Sequence, residues 1–235
     1  MTTEDLGFTW NRSTIPTLRV ACGHDDVIDT LSNHLSDFVW NTAALEGNSF
    51  TLPEVQTLMA GVSVGGHLGS EVRQIEDTAE AFAWLLEEIR TGSFNCDRAT
   101  SDHCNGILAR HEALVAGSFR TSAVSVNLGD RGAYTPPPVE ELETHYEAAM
   151  AALAAIDRPD ERALAYFAFG ARAQLYFDGN KRTSRHIMNG MLMTAGHHGI
   201  VVPNSRRLEF NAACITLYAD SDATEIMRFL ASCTD

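Results

Sequence analysis

The sequence predicts a mainly helical, all-α domain carrying one β-hairpin flap, on three observations. Apolar residues recur at three- and four-residue steps through most of the chain, as at Val27, Ile28, Leu31, Leu35, Phe38 and Val39. One stretch, residues 117–138, instead alternates apolar with small polar residues around Asn127-Leu128-Gly129-Asp130-Arg131-Gly132 and closes on three prolines. With 235 residues and 45% hydrophobic content, the chain can bury one substantial core.

In chain order, residues 1–24 read as an extended or loosely packed arm, and residues 25–235 as the domain proper. A helix is expected from residue 25 to about 44, giving way at Leu45-Glu46-Gly47-Asn48, where Gly47 suits a helix C-terminus. Thr51 with Glu54 three residues on forms a capped entry to the next helix. The glycine-rich residues 61–70 form a connecting loop. Residues 71–90 put Ile75, Ala79, Phe82, Ala83, Leu85, Leu86 and Ile89 on one apolar stripe. A second helix is expected over about 101–115, with His111 packed inside it. Helices follow over residues 139–156, 161–174, 205–219 and 222–233, the first broken by Arg158-Pro159-Asp160.

Composition excludes several functions. A net charge of −14 leaves no broad basic face for nucleic acid. The N-terminus has neither the basic nor the apolar region of a secretory leader, and no uncharged apolar run reaches membrane-spanning length, so a cytoplasmic protein without membrane contact is expected. The five cysteines are odd in number and include no C-x-x-C pair, which suggests reduced thiols. Cys96, His103, Cys104 and His111 match no common zinc spacing, and His197 and His198 lack a third ligand nearby.

The informative stretch is residues 174–185, QLYFDGNKRTSR. Asp178-Gly179-Asn180 is a turn signal between two helical runs, and the second run is apolar-periodic at Ile187, Met188, Met191, Leu192 and Ala195. That helix starts with free backbone N–H groups beside Lys181, Arg182 and Arg185. Cations at a helix start oppose the dipole unless an anion is bound there, so the pattern points to a phosphate cradle. Asp178 is the one acid in the stretch and could share a divalent metal with a phosphate oxygen. A second electrostatic misfit lies at Glu46, an acid at a helix C-terminus, which needs a cationic partner; the basic turn at 181–185 is the obvious one.

The run is similar to the signature of the Fic (Fic/Doc) domain family, His-x-Phe-x-Asp/Glu-Gly-Asn-x-Arg-x-x-Arg. Asp178, Gly179, Asn180, Lys181, Arg182 and Arg185 fit it in register; Gln174 stands where the family has its catalytic histidine, and Tyr176 replaces the phenylalanine. Thr42, Glu46 and Gly47 resemble the family's inhibitory motif, Ser/Thr-x-x-x-Glu-Gly/Asn, here on an N-terminal helix (about 25–47). The resemblance, from about residue 25 to the C-terminus, implies a mainly helical fold with signature loop and helix at 174–196. It implies AMP transfer from ATP to a hydroxyl side chain of a target protein, with magnesium on Asp178 and the phosphates held by Gly179, Asn180, Lys181, Arg182 and Arg185. Glu46 would pair with Arg185 and occupy the space of the γ-phosphate. The flap, about 117–138, would dock the target protein along Gly117-Ser118-Phe119-Arg120 or Tyr134 to Pro138, and a homodimer is left open.

Gln174 cannot serve as a base near neutral pH, because a carboxamide does not accept a full proton; losing general-base catalysis costs about 10²- to 10⁴-fold. His186 is the nearest histidine in sequence, but helix geometry turns it away from residue 174. Two readings stand: an impaired adenylyltransferase autoinhibited by Glu46, or a non-catalytic nucleotide-binding regulatory module.

Overall fold

The computed structural model describes residues 3–234. Ten α-helices dominate the described residues: α1 (His24–Asn33), α2 (Leu35–Leu45), α3 (Leu52–Met59), α4 (Gly69–Thr91), α5 (Arg98–Leu108), α6 (Leu142–Ala154), α7 (Pro159–Ala173), α8 (Asn180–Thr194), α9 (Arg207–Asp220) and α10 (Thr224–Ala231). A small antiparallel ribbon, β1 (Val126–Asn127) and β2 (Ala133–Tyr134), pairs Val126 with Tyr134. Helical periodicity and the single alternating stretch therefore translate into the expected fold class. No helix among the described residues is long and apolar enough to cross a membrane.

The pair α7 and α8 is the centre of the molecule. Ala163, Leu164, Ala165, Phe167, Ala168, Phe169 and Ala171 of α7 are fully buried, as are Ile187, Met188 and Leu192 of α8. Small residues let the two backbones approach: a Cβ on Gly170 would lie 2.3 Å from Ser184 Oγ. That contact fixes the span that the connecting loop, residues 174–179, must cross.

Several boundaries differ from the sequence reading. The first expected helix is two, because His34 leaves helical geometry (φ −111°, ψ 18°) and its carbonyl starts α2 by accepting from Phe38 N–H at 3.1 Å. On α4, Ala83 is exposed, while Asp77, Thr78 and Ala81 are buried. The helix expected over 101–115 ends at Leu108. Beyond it, Arg110 and His111 turn back to bind the buried Asp77 at 2.6 and 2.7 Å, so His111 is a half-exposed hydrogen-bond partner of Asp77 rather than a packed helix residue.

The N-terminal arm is packed, not loose. Leu6, Phe8, Ile15 and Leu18 join the core. Thr9 donates to the Ser221 carbonyl and accepts from Ala223 N–H. Trp10 and Arg12 both donate to the buried Glu161 carboxylate. These partners lie more than 140 residues away in sequence, out of reach of local pattern.

The hairpin is shorter than its alternating pattern suggests. Phe119 and Arg120 are buried, and Arg120 N–H donates to the Leu175 carbonyl at 2.8 Å. Residues 117–120 thus belong to the base of the signature loop and are no free strand edge. The cause is Gly117, whose left-handed φ of 74° and lack of Cβ let it sit against Gly106 and the Asp102 carbonyl.

Candidate active site

The loop between α7 and α8 is built by inward anchors. α7 ends at Ala173, and Gln174 takes a left-handed conformation (φ 48°, ψ 57°), uncommon for a residue with a Cβ. Leu175 and Tyr176 then turn into the core at 2% and 1% exposure. The Tyr176 hydroxyl donates to Asp102 Oδ1 and lies beside Ser101 Oγ, both at 2.8 Å. The polar tip that distinguishes this tyrosine from phenylalanine is therefore satisfied.

Asn180 closes the loop on itself. Its Oδ1 accepts from Tyr176 N–H at 2.9 Å, and its Nδ2 donates to the Tyr176 carbonyl and to Gln174 Oε1 at 2.9 and 3.2 Å. From below, the fully buried Asn105 donates to the Asp178 carbonyl at 3.0 Å and to Thr183 Oγ1 at 3.2 Å. Gly179 (φ 74°) is required twice over, by its conformation and because a Cβ would come 3.1 Å from Asn105 and Ala109. Arg120 supports the other end, donating to the Gln174 carbonyl at 2.7 Å and to the Pro137 carbonyl.

These anchors present the N-terminus of α8, which no side chain caps. Its N–H groups border a cavity of about 170 Å³ lined by Gln174, Phe177, Asp178, Lys181, Arg182 and Glu46. Asp178 is half exposed; its Oδ1 accepts from Gly179 N–H at 2.6 Å and lies 3.5 Å from Arg182 Nη2. A second cleft of about 510 Å³ shares Gln174 and Lys181 and runs between β1 and α9, past Asn211, Cys214 and Tyr218.

Glu46, at the end of α2, lines the smaller cavity. Its Oε1 accepts from Arg185 Nη2 at 3.2 Å, and its Oε2 lies 3.8 Å from Lys181 Nζ. Burial pushes the Glu46 carboxyl up, but Lys181, Arg185 and Arg182 outweigh it and hold the group below the ordinary carboxylate range. Arg185 is 4% exposed, and its Nε and Nη1 are buried without a partner. Burial lowers its pKa, though a guanidinium stays charged. Thr42 is buried one turn before Glu46, and Gly47 (φ 93°) ends the helix. Arg182 is committed elsewhere: it donates to the Leu108 carbonyl and makes a two-pronged ion pair with Glu112.

Gln174, His186, Cys214 and Tyr218 offer no base at this position. The Gln174 amide donates to the Ala171 carbonyl at 2.6 Å. His186 is 1% exposed, lies tilted with its ring centroid 4.1 Å from that of Phe82 and is pushed down to about 3 by burial. Burial raises the Cys214 thiol to about 12 and the Tyr218 phenol well above its ordinary value, so both are protonated at neutral pH.

Residues 100–192, α5 through most of α8 with the ribbon and the signature loop, match the model of the Fic/DOC family. They form a Fic/DOC family domain. The Fic domain thus holds the loop and Arg185, while Glu46 comes from a helix outside the matched residues. The protein adenylyltransferase Fic of Drosophila ananassae is 23% identical over 203 residues, covering 84% of this chain. The chain spans 39% of that relative's length. A Fic domain containing signaling protein from Bacteroides thetaiotaomicron superposes with a TM-score of 0.73 at 19% identity, covering 95% of this chain and 89% of that one. Fic-1 of C. elegans also gives 0.73 at 19% identity, covering 90% and 67%. These likenesses establish the fold.

Three residues that shape the Fic domain's site escaped the sequence reading, Asn105, Glu112 and, on α4, Gln74, while Arg120, expected on a docking edge, instead supports the loop. The three are polar residues in turns or on helix faces, and nothing local marks their partners.

Proposed function

We propose that this chain is a Fic-type adenylyltransferase, binding ATP in the cavity at the start of α8, held off by Glu46 and impaired at its base position by Gln174. The observation that carries this reading is Arg185. A buried guanidinium with two unpartnered donors is costly, and its one acidic partner reaches in from another helix. A terminal phosphate could replace Glu46 and satisfy those donors. The uncapped α8 N-terminus and Lys181 would hold the phosphates nearer the α-phosphorus, and the cleft beside Cys214 and Tyr218 has room for the nucleoside.

Asp178 fits a magnesium ion. It is half exposed and borders the phosphate cavity, and magnesium is commonly held by one or two carboxylates together with substrate phosphates. Bound there, the metal would neutralise phosphate charge. In the transfer itself, a hydroxyl oxygen of the target bonds to the α-phosphorus, the bond to the bridging oxygen breaks, and pyrophosphate leaves. The hydroxyl proton finds no base at Gln174 and passes to water or a phosphate oxygen. The β1 edge, which lines the same cleft, is where an extended target segment would dock.

One observation favours the second reading, a non-catalytic nucleotide-binding module. Both ends of the Gln174 amide are held by the helices that flank the loop, Nε2 on Ala171 of α7 and Oε1 by Asn180 of α8, so residue 174 serves loop structure. Intact-mass analysis after incubation with magnesium and ATP separates the two. AMP added to Glu46→Gly itself supports transfer without the histidine. Labelling confined to Glu46→Gly/Gln174→His supports the binding module. If calorimetry finds no Mg-ATP binding to Glu46→Gly, both readings fall.

A further inference from the structure

Each signature arginine is held by an acid from outside α8, and the two acids are connected. Glu112 binds Arg182 through both carboxylate oxygens, and Gln74 on α4 donates to Glu112 Oε1 at 2.9 Å. Gln74 Oε1 in turn accepts from Asn48 Nδ2 at 2.9 Å. Asn48 sits in the turn after Glu46, where its N–H donates to the Ala43 carbonyl at 3.2 Å. Glu46 then reaches Arg185 on α8, one turn along from Arg182. The contacts close a ring: Arg182, Glu112, Gln74, Asn48, the 46–48 turn, Glu46, Arg185 and back along the helix.

We infer that Glu112 is a second acidic latch on the site, and that Gln74 couples it to Glu46. The inference rests on the reading of Glu46 as a blocking acid. Arg182 Nη1 is shared between Glu112 and the Leu108 carbonyl, and Nη2 between Glu112 and Asp178. A phosphate that draws on Arg182 must therefore compete with Glu112. When Glu112 shifts, Gln74 loses the acceptor that orients its amide, which weakens the Asn48–Gln74 bond, one of the turn's ties to α4 beside the bond from Asn48 Nδ2 to the Glu71 carbonyl. Displacing one acid then makes displacing the other easier, which is coupling between two contacts on a single ligand. Neutral hydrogen bonds in the chain let Gln74 transmit this without adding charge.

The test is a cycle of Gln74→Met, Glu46→Gly and the double variant, since methionine keeps the side chain's reach and helix propensity but has no amide. In calorimetry, Gln74→Met should tighten Mg-ATP binding about five-fold or more in the parent background, and by clearly less when Glu46 is already removed. Unchanged affinity, or the same factor in both backgrounds, overturns the coupling. A second measurement needs no nucleotide: amide hydrogen exchange at Glu46, Gly47 and Asn48 should speed up in Gln74→Met and in Glu112→Gln. Unchanged exchange in both folded variants overturns the inference even where no variant binds ATP, a result that would by itself sink only the nucleotide reading.

Discussion

Arg185 Nη2 lies 3.2 Å from Glu46 Oε1, a pair closed across 139 residues of sequence, while Nε and Nη1 of the same guanidinium stay buried and unpartnered. An arginine in that position is half satisfied, and the unsatisfied half faces the question of what else it binds.

Removing the acid should destabilise the fold and favour anions together. Glu46→Gly leaves a buried cation unpaired, a change that costs up to about 3–5 kcal/mol. Added pyrophosphate should recover much of that loss, read as a rise in Tm with ligand concentration. A Glu46→Gly protein as stable as the parent, with no response to pyrophosphate, contradicts the account of Arg185.

The pair also sets a pH dependence. The Glu46 carboxyl is depressed in the folded protein, so the unfolded chain binds its proton first as pH falls. Its contribution is full above the ordinary glutamate pKa of about 4.3 and disappears as pH drops through the lower folded value. Denaturant titrations between pH 7 and 3 should show a steeper acid loss in the parent than in Glu46→Gln.

Restoring a base should restore chemistry. In the Glu46→Gly background, Gln174→His is expected to raise AMP transfer by about 10²- to 10⁴-fold, followed by intact mass over time. No gain while Mg-ATP still binds would mean that the loop holds residue 174 unsuitably for proton transfer.

The approach of α7 to α8 is testable without ligand. Gly170→Ala puts a Cβ 2.3 Å from Ser184 Oγ, and overpacking of this kind costs about 1–3 kcal/mol. Ser184→Ala in the same protein should recover part of the loss, measured by urea denaturation, because it removes the clashing oxygen.

Tyr176→Phe removes a hydroxyl that donates to Asp102 inside the core. The loss should be about 1–3 kcal/mol, since Asp102 and Ser101 each give up a buried partner.

The parts of this site that the sequence exposes are those where local chemistry is odd. Asp178-Gly179-Asn180 is turn chemistry, and Lys181, Arg182 and Arg185 are cations at the wrong end of a helix. Glu46 is an acid at the other wrong end, so each misfit points to the other. Asn105 and Arg120 are invisible by the same logic. Asn105 is an ordinary polar residue in a helix until Gly117 brings the chain back beside it, and Arg120 finds its carbonyl partners at Gln174 and Pro137 only after the chain has folded. The early end of α5 and the packed arm are similar, being decided by Asp77 and Glu161, each far away in sequence. Hydrophobic periodicity reports a face, not the partner that ends the helix.

Asn180 spends all of its amide on the loop that precedes it, fastening both backbone groups of Tyr176 and the side chain of Gln174. The loop's shape is therefore set when the chain folds, and a ligand arriving at the start of α8 would meet donors already aimed. Little ordering is left to oppose binding, so affinity there depends mainly on which charge holds the arginines first. On the proposed reading, competition between Glu46 and an incoming anion, rather than rearrangement of this loop, would set the strength of binding at this end of the helix.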